Sequence, residues 1–329
     1  DRDTLAKGTY AHNNPEVPFL HRSIRTVSGR DILRLSNRSE IDVLIAGPPC
    51  RPYSSANLKR NGSSHPDHDA IHHFLRLLRE VRPKCFLVEN VEMLKFLNKG
   101  RTFKSICSKA KNMGYELQNF VVNASDLGLP QRRKRLFLTG FRRQDLILSF
   151  AGSHTHLSVS DAISDLPSLP EGGGGAVEME YDGGARTNYQ KLLRGSCLRL
   201  LNHMSTLSSP LALARFKYIP PKGSLRTVWD RLPADMKRGI SSIRKVHANI
   251  YRRLPWSEPS YTIVHVRKAV LIHPQEHRLL SAREAARLQS FPDSYRFFGG
   301  ITAQYQQIAD ATPPLVAERI AKQIKALFD

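Results

Sequence analysis

The sequence has few cysteines and no long apolar run. Its four cysteines stand far apart and form no Cys-x-x-Cys pair, so neither a zinc site nor a disulfide framework is indicated, which fits a reducing compartment. No apolar run reaches the roughly 18 residues that a membrane-spanning helix needs. The opening residues Asp1 to Thr4 do not resemble a signal peptide. We therefore expect a cytoplasmic protein with no metal site and no membrane segment.

Acidic residues are scarce relative to basic ones. Fifty Lys and Arg stand against 29 Asp and Glu, which gives a net charge of +21 in 329 residues. Apolar residues make up 40% of the chain, an ordinary globular value, and the length suffices for two modest domains. The charge favours a polyanionic partner, namely nucleic acid, because each neutralised phosphate releases counterions. Charge used for solubility is the alternative.

The first half of the chain alternates buried strands with a helix. Residues 43–46 form an apolar run, residues 69–80 carry a helical apolar stripe, and residues 85–88 form a second apolar run. A strand–helix–strand unit of this length predicts two parallel strands. Cys50 and Glu89 then lie just beyond the carboxyl ends of these strands, on the sheet edge where ligands bind.

The rest of the chain changes character. Two further strands are predicted at residues 117–122 and 136–139, and a loop-rich basic module follows from about 150 to 250. Ser281 to Glu284 matches a capping box that opens a helix, and a last helix is predicted from about Pro314 to Leu327.

Cys50 follows a stiff loop. The two prolines of Gly47-Pro48-Pro49-Cys50 restrict the backbone and hold the thiol in place. A thiolate there is a strong nucleophile. A buried, inert cysteine is the other interpretation.

Five short motifs decide between these two interpretations. Taken together and in this order, the motifs resemble those of the DNA (cytosine-5) methyltransferase family, in its bacterial restriction–modification type. They are Gly47-Pro48-Pro49-Cys50, Glu89-Asn90-Val91, Gln131-Arg132-Arg133-Lys134-Arg135, Arg287-Leu288-Gln289-Ser290-Phe291-Pro292-Asp293 and Gln307-Ile308-Ala309-Asp310-Ala311-Thr312-Pro313-Pro314. The resemblance implies an α/β fold, with a Rossmann-like S-adenosylmethionine-dependent methyltransferase sheet and a second, smaller, irregular target-recognition domain.

The resemblance also implies a mechanism. Cys50 adds to C6 of a cytosine flipped out of duplex DNA, and Glu89 donates a proton to N3. C5 then takes the methyl group of S-adenosyl-L-methionine. Arg133 and Arg135 hold the flipped base and the catalytic loop, with Arg135 on the cytosine O2, and both point to one face if the strand at Leu136 extends back to them.

Further residues are assigned to the cofactor and to DNA. The expected cofactor-binding residues are Asp1, Arg2, Asp31, Ile32, Pro48, Asp310 and Ala311. The expected DNA-binding residues are Arg51, Ser54, Gln131 and Arg253. An acidic residue that accepts from a ribose hydroxyl is the usual device of nucleotide-binding sheets.

The sequence departs from the family pattern in its cofactor half. The Phe-x-Gly-x-Gly loop expected ahead of Asp1 is absent, so the first strand is missing, and a separate segment or subunit is one source of it. Arg51 stands where the family usually has Gln, and Ala309-Asp310 replaces Gly-Asn. The segment after Pro66 also departs from the usual pattern.

These motifs predict three segments and a setting. Residues 1–159 would form the catalytic and cofactor domain, 160–303 the target-recognition domain, and 304–329 a C-terminal helix that returns to the catalytic domain. The setting would be a bacterial or archaeal defence system in which the enzyme associates with the nucleoid. A tRNA cytosine-5 methyltransferase, or a DNA-binding subunit or pseudoenzyme with an incomplete cofactor site, remains open.

Overall fold

A computed structural model describes residues 1–49, 69–142, 148, 156–245 and 250–328. The chain divides into two compact units. Unit 1 comprises residues 1–123, 134–151 and 320–329, and unit 2 comprises residues 124–133 and 152–319. Cys50, Arg51 and Ser54 lie outside the described residues. The three predicted domain boundaries stay predictions.

Among its described residues, unit 1 contains a four-stranded sheet and four α-helices that lie wholly within it. The helices are α1 (Thr4–Asn13), α2 (Gly29–Ser36), α3 (Ala70–Val81) and α4 (Arg101–Asn112), and the strands are β1 (Val43–Ala46), β2 (Cys85–Asn90), β3 (Glu116–Asn123) and β4 (Lys134–Phe141).

The sheet has the order β1-β2-β4-β3. β1 and β2 run parallel, as the strand–helix–strand pattern predicts, with Val43 opposite Cys85. β4 lies antiparallel to both β2 and β3. One prediction needs correction: Glu89 belongs to β2 and pairs with Phe137 rather than following the strand, because β4 extends the ladder to Asn90.

The core of unit 1 forms between the sheet and α3. Phe74 on α3 meets Phe86 on β2 edge to face, at a centroid separation of 5.9 Å, and Phe86 meets Tyr115 at 5.1 Å. α3 ends where Arg82 adopts a left-handed conformation, just before Pro83, which cannot continue a helix. The apolar stripe that predicted this helix is therefore its buried face.

Unit 2 carries short strands and a larger number of helices. The helices are α5 (Val159–Ile163), α6 (Asn188–Arg194), α7 (Pro210–Tyr218), α8 (Leu225–Val228), α9 (Val266–Ala269), α10 (Ala282–Leu288) and α11 (Ile301–Asp310); the strands are β5 (Gly174–Glu180), β6 (Arg199–Ser205), β7 (Arg252–Arg253) and β8 (Leu271–Ile272). A last helix, α12 (Pro314–Ala326), crosses the division between the units.

The predicted capping box opens α10. The Ser281 hydroxyl accepts from the Glu284 amide, and the Glu284 carboxylate accepts from the Ser281 amide. The predicted closing helix is confirmed as α12.

The sequence patterns did not reveal every helix. α1, α2, α4 and α11 were not predicted, although α2 begins with a second capping box formed by Ser28 and Asp31. Within the part of the chain that the structure describes, no helix combines the length and the apolar character that crossing a membrane requires.

Candidate active site

The loop that leads to Cys50 lies beside the end of β2. The Asn90 amide nitrogen donates to the Pro48 carbonyl at 3.1 Å. The Glu89 Oε2 atom lies 3.9 Å from the position that a Cβ on Gly47 would occupy. Because Gly47 and Pro48 precede Cys50 by only a few residues, the carboxylate of Glu89 faces the segment that carries the expected nucleophile.

Arg135 forms an ion pair with Glu89. The Arg135 Nε atom lies 2.8 Å from Glu89 Oε1, and the two side chains are only 15% and 16% exposed. Another nitrogen of the same guanidinium donates to the Lys134 carbonyl at 2.8 Å. The antiparallel pairing of β2 and β4 produces this arrangement, because Asn90 lies opposite Leu136 and Arg135 comes one residue earlier. A shielded pair of this kind orients both groups.

Asn90 is a positioning residue to which the Glu89-Asn90-Val91 motif assigned no role. It is buried, and its side-chain oxygen accepts from the Val91 amide at 2.9 Å while its nitrogen holds Pro48. Asn90 therefore ties the end of β2 to the loop after β1. Its position directly after Glu89 in a recognised motif was the available signal.

The cysteines that the structure describes are poor nucleophiles. Burial raises the pKa of the Cys85 thiol to about 12, and it raises the pKa values of Cys107 and Cys197 as well. Since the thiolate is the reactive form, none of these three is suited to attack a base. Cys50 is the remaining cysteine of the four.

Arg133 is assigned to a different unit from Glu89 and Arg135. It belongs to unit 2, whereas β4 begins at Lys134, so the expected strand does not include it. Its buried guanidinium donates to the carbonyls of Ile263, Ala309 and Ala311 at 3.0 to 3.1 Å. These contacts hold the Arg133 side chain within unit 2, and the catalytic role expected of it stays a prediction.

Gln131 and Arg253 are likewise enclosed within unit 2. The Gln131 side chain is fully buried and bonds to Leu288, Gln289 and Ile263. Arg253 is 3% exposed, and all five of its N–H groups face acceptors, namely the carbonyls of Ile219, Phe216, His273 and Glu276 and the ring of His277. Side chains enclosed in this way hold loops together, and the DNA contacts expected at Gln131 and Arg253 stay predictions.

Asp31 is held in a fixed orientation by its own helix. Its Oδ2 atom accepts from the Ser28 amide at 2.9 Å and from the Ser28 hydroxyl at 2.8 Å. These hydrogen bonds lower the pKa of Asp31, chiefly through the backbone amide. Ile32 follows on the same turn. Asp1, also expected at the cofactor, is exposed and accepts from the Asp3 amide at 2.9 Å. Ionised carboxylates fit the hydroxyl and amino donors of a nucleoside.

Asp310 and Ala311 stand at the end of α11. The Asp310 carboxylate accepts from the Gln306 side chain at 2.8 Å, and the Ala311 carbonyl accepts from Arg133. Among the described residues, no group of three or more His, Cys, Asp or Glu side chains is placed to hold a metal ion.

A buried ion network supports the late motif at residues 287–293. Arg287 bonds to Asp293 at 2.6 and 2.9 Å and to Asp165 at 2.5 Å, with all three side chains fully buried. Arg278 makes a similar bidentate pair with Glu284. Although burial alone would raise it, the charge of Arg278 holds the pKa of Glu284 below its usual range.

The comparisons with known proteins agree with this site. The family pattern described as C-5 cytosine-specific DNA methylase matches residues 1–326. This chain belongs to that family. The resemblance inferred from the five motifs is thereby confirmed, and with it the enzyme class of DNA (cytosine-5) methyltransferases.

Individual relatives of the family cover the chain almost completely. The chain is 32% identical to the type II methyltransferase M.DdeI of Desulfomicrobium norvegicum, over 100% of this chain and 83% of the relative. It is 30% identical to the type II methyltransferase M.AgeI of Thalassovita gelatinovora, over 99% of this chain and 92% of the relative.

A solved structure shows the same fold. It is a proposed DNA modification methyltransferase encoded within an E. coli prophage, and it matches with a TM-score of 0.77 at 24% identity, over 100% of this chain and 91% of that one. The predicted α/β methyltransferase fold of the family is confirmed.

Proposed function

We propose that this chain methylates C5 of cytosine in duplex DNA, with Cys50 as the nucleophile and Glu89 as its acid partner. The observation that carries the proposal is the Glu89–Arg135 pair beside Gly47 and Pro48, on the loop that leads to Cys50. A carboxyl group and a guanidinium beside the loop that leads to the expected nucleophile are two of the groups that addition of a thiolate to a cytosine ring requires.

Each side chain has a defined task in this proposal. The Cys50 thiolate forms a bond to C6, which makes C5 nucleophilic, and Glu89 donates a proton to N3 to neutralise the charge that develops on the ring. Arg135 donates to the cytosine O2 while its Nε atom keeps Glu89 in place. Loss of the C5 proton after methylation expels the thiolate. The target base must leave the helix stack for Cys50 to reach it.

The carboxylate of Glu89 must take up a proton before it can donate one. The ion pair with Arg135 favours the ionised form. When a base occupies the site, the O2 atom shares the guanidinium, which weakens its hold on Glu89. Protonation of Glu89 would therefore accompany entry of the base.

S-adenosyl-L-methionine is the proposed cofactor, and when bound it supplies the methyl group. Asp31 and Ile32 on α2, together with Asp1 and Arg2, would hold its nucleoside half. Pro48, Asp310 and Ala311 stay proposed cofactor-binding residues. The fixed, ionised carboxylate of Asp31 supports the first assignment.

We propose that a strand adjoining β1 completes the cofactor pocket and carries the glycine loop that the described sheet does not include. β1 is an edge of the described sheet, and Ile45 on it is 63% exposed, although isoleucine is among the residues that are most often buried. A segment outside residues 1–329 or a separate subunit would supply this strand. Arg51, Ser54, Gln131 and Arg253 remain proposed DNA contacts.

The organisation and setting follow from the same family. We propose a catalytic domain at residues 1–159, a target-recognition domain at 160–303 and a returning C-terminal helix at 304–329. The cellular setting we propose is a bacterial or archaeal restriction–modification or related defence system, with the enzyme in the cytoplasm on nucleoid DNA.

Covalent trapping tests the proposal. Duplex DNA that contains 5-fluorocytosine should form a stable adduct with the chain in the presence of S-adenosyl-L-methionine, and Cys50→Ala should abolish it. Cys107→Ala is the matched control and should form the adduct at the rate of the original chain. An adduct with Cys50→Ala would exclude Cys50 as the nucleophile.

The same assay separates the two alternatives. Methylation of tRNA in preference to duplex DNA would support the RNA enzyme. DNA binding without adduct or methyl transfer would support a binding subunit, and activity restored by an added glycine-loop segment would return the proposal to an enzyme with a divided cofactor site.

A further inference from the structure

A surface cleft in unit 2 is the strongest feature that the proposed chemistry does not use. It has a volume of about 520 Å³ and is lined by His265, Lys268, Gln306 and residues 300–303. The cleft brings together the start of α11 and the segment that begins α9.

The first turn of α11 supplies backbone donors to the cleft. α11 has ten residues, and no side chain caps its N-terminus, where Gly300 is the capping residue. The Gly300 carbonyl accepts from the amides of Ala303 and Gln304, at 2.8 and 3.1 Å. The amides of Ile301 and Thr302 precede these in the turn, and such first-turn amides together with the helix dipole attract an anion.

His265 adds an independent sign of a ligand. It is 7% exposed, and its Nδ1 atom accepts from the Lys268 amide at 3.3 Å, so the neutral ring carries its proton on Nε2. That Nε2 atom is buried without a hydrogen-bond partner. A buried donor left unpaired costs free energy, so an oxygen seated in the cleft would satisfy it.

The charge state of His265 suits a neutral donor. Burial and then the charge of Lys268 lower its pKa, against smaller opposite effects of nearby backbone groups and of Asp310. The ring is therefore neutral at pH 7, and the positive charge at the cleft resides on Lys268.

Lys268 completes the set of donors. Its side chain is exposed, and Nζ donates to the Gln306 side chain at 3.3 Å. The nearby carboxylate of Asp310 is engaged by the Gln306 amide nitrogen at the far end of α11. An ammonium, an imidazole N–H and helix amides around one cleft match the oxygens of a phosphate.

We propose that this cleft binds a phosphate of the nucleic-acid backbone and thereby positions the substrate strand on unit 2. The inference rests on the proposed function, because it assumes that the chain acts on nucleic acid. Free inorganic phosphate offers the same chemistry, and the experiment below distinguishes the two sources. Lys268 and His265 are positioning residues in this proposal, since neither touches the reacting atoms.

The salt dependence of DNA binding is the test. With Lys268→Gln, the slope of log Kd against log salt should fall by about 0.9, because one phosphate contact is lost. The Kd should rise roughly tenfold at physiological salt, as expected for a charged hydrogen bond. The kcat at saturating DNA should not change. Lys109→Gln, an exposed lysine of α4, is the matched control and should keep the original slope.

A second variant isolates the imidazole. His265→Asn retains an acceptor for the Lys268 amide, since Asn is a good capping residue, but it removes the Nε2 donor. The Kd should rise while the salt slope stays the same, because His265 carries no charge. A thermal melt that matches the original chain shows that the variant folds.

The outcomes separate this inference from the proposed function. If the original chain methylates DNA but Lys268→Gln keeps the original salt slope, only the cleft proposal is overturned. A chain that binds no DNA overturns both. Inorganic phosphate distinguishes the two phosphate sources. If it shifts the NMR resonances of the His265 ring at submillimolar concentration and DNA does not, the cleft is a free-phosphate site, and the proposed contact with the nucleic-acid backbone is wrong.

Discussion

Replacing Glu89 with Gln tests the core of the proposed mechanism. The substitution keeps the size of the side chain and an oxygen that can accept from Arg135 Nε at 2.8 Å, but it removes the proton that Glu89 would donate to N3. General acid assistance of this kind is worth roughly 10²- to 10⁴-fold in rate. We therefore expect kcat to fall by that factor, which corresponds to about 3 to 5.5 kcal/mol of transition-state stabilisation.

The same substitution should affect stability far less than activity. The pair is partly shielded but still in contact with solvent, and such pairs contribute about 1 kcal/mol or less. Single-turnover methylation of duplex DNA measures the chemical step, and urea unfolding measures the free energy of unfolding. DNA affinity should stay within about threefold of the original chain, because the loss is confined to the transition state.

A geometrically matched ion pair provides the control. Glu178 Oε1 on β5 also lies 2.8 Å from the Nε atom of Arg199 on β6, but the side chains there are 57% exposed for Arg199 and 45% for Glu178. Glu178→Gln removes the same charge and should leave kcat unchanged. If Glu89→Gln keeps kcat within threefold of the original chain, or if both variants lose activity equally, the role assigned to Glu89 is refuted.

Three further predictions concern stability. Arg287→Met leaves the buried carboxylates of Asp293 and Asp165 without their cationic partner. The free energy of unfolding, measured by urea denaturation, should therefore fall by about 3 to 5 kcal/mol, and a loss below about 1 kcal/mol would contradict the network. Burial lowers the pKa of His273 to about 4, so its contribution is complete above pH 6.5 and is lost, by about 3 kcal/mol, as the pH falls toward 4. His273→Asn should flatten that pH profile, and an unchanged profile would rule the residue out. Gly140→Ala places a methyl group against the ring of Phe86 and should lower the thermal midpoint through about 1 to 3 kcal/mol of overpacking, whereas an unchanged midpoint would mean that the ring moves freely.

Local patterns predicted the half of the site that lies on unit 1. The apolar runs around β1 and β2 and the stripe of α3 are short-range signals, and parallel pairing follows from the length of the connection. The apolar run ends at Val88, so β2 was predicted to end before Glu89. Antiparallel pairing with β4 prolongs β2 to Asn90, and that pairing joins residues about 50 positions apart.

The basic residues were harder to interpret. In a chain with a net charge of +21, Gln131 and Arg253 were expected to contact DNA and Arg133 to act in catalysis. In the structure their side chains bond to backbone carbonyls and side chains up to about 180 residues away. No local pattern reports such partners. The burial of an arginine is therefore a property of the assembled unit.

The starts of α2 and α11 differ in what the sequence shows: a capping box marks the first, and no side-chain cap marks the second. Ser28 and Asp31 match a capping box that a search for such patterns would have found, and the box also explains how Asp31 is held. α11, by contrast, begins at Gly300 without a side-chain cap, so its start carries no sequence signal of that kind. That bare start is what makes the cleft beside His265 a candidate phosphate site.

The sequence by itself determined the family, the fold class and the presence of Cys50 and Glu89 next to two parallel strands, because motif order and apolar periodicity are written along the chain. Only the tertiary structure decided which charged side chains meet. It paired Arg135 with Glu89 through the β2–β4 ladder and enclosed Arg133 and Arg253 among carbonyls. A charge becomes a catalytic partner, a structural tie or a ligand contact according to its neighbours, and those neighbours are distant in sequence.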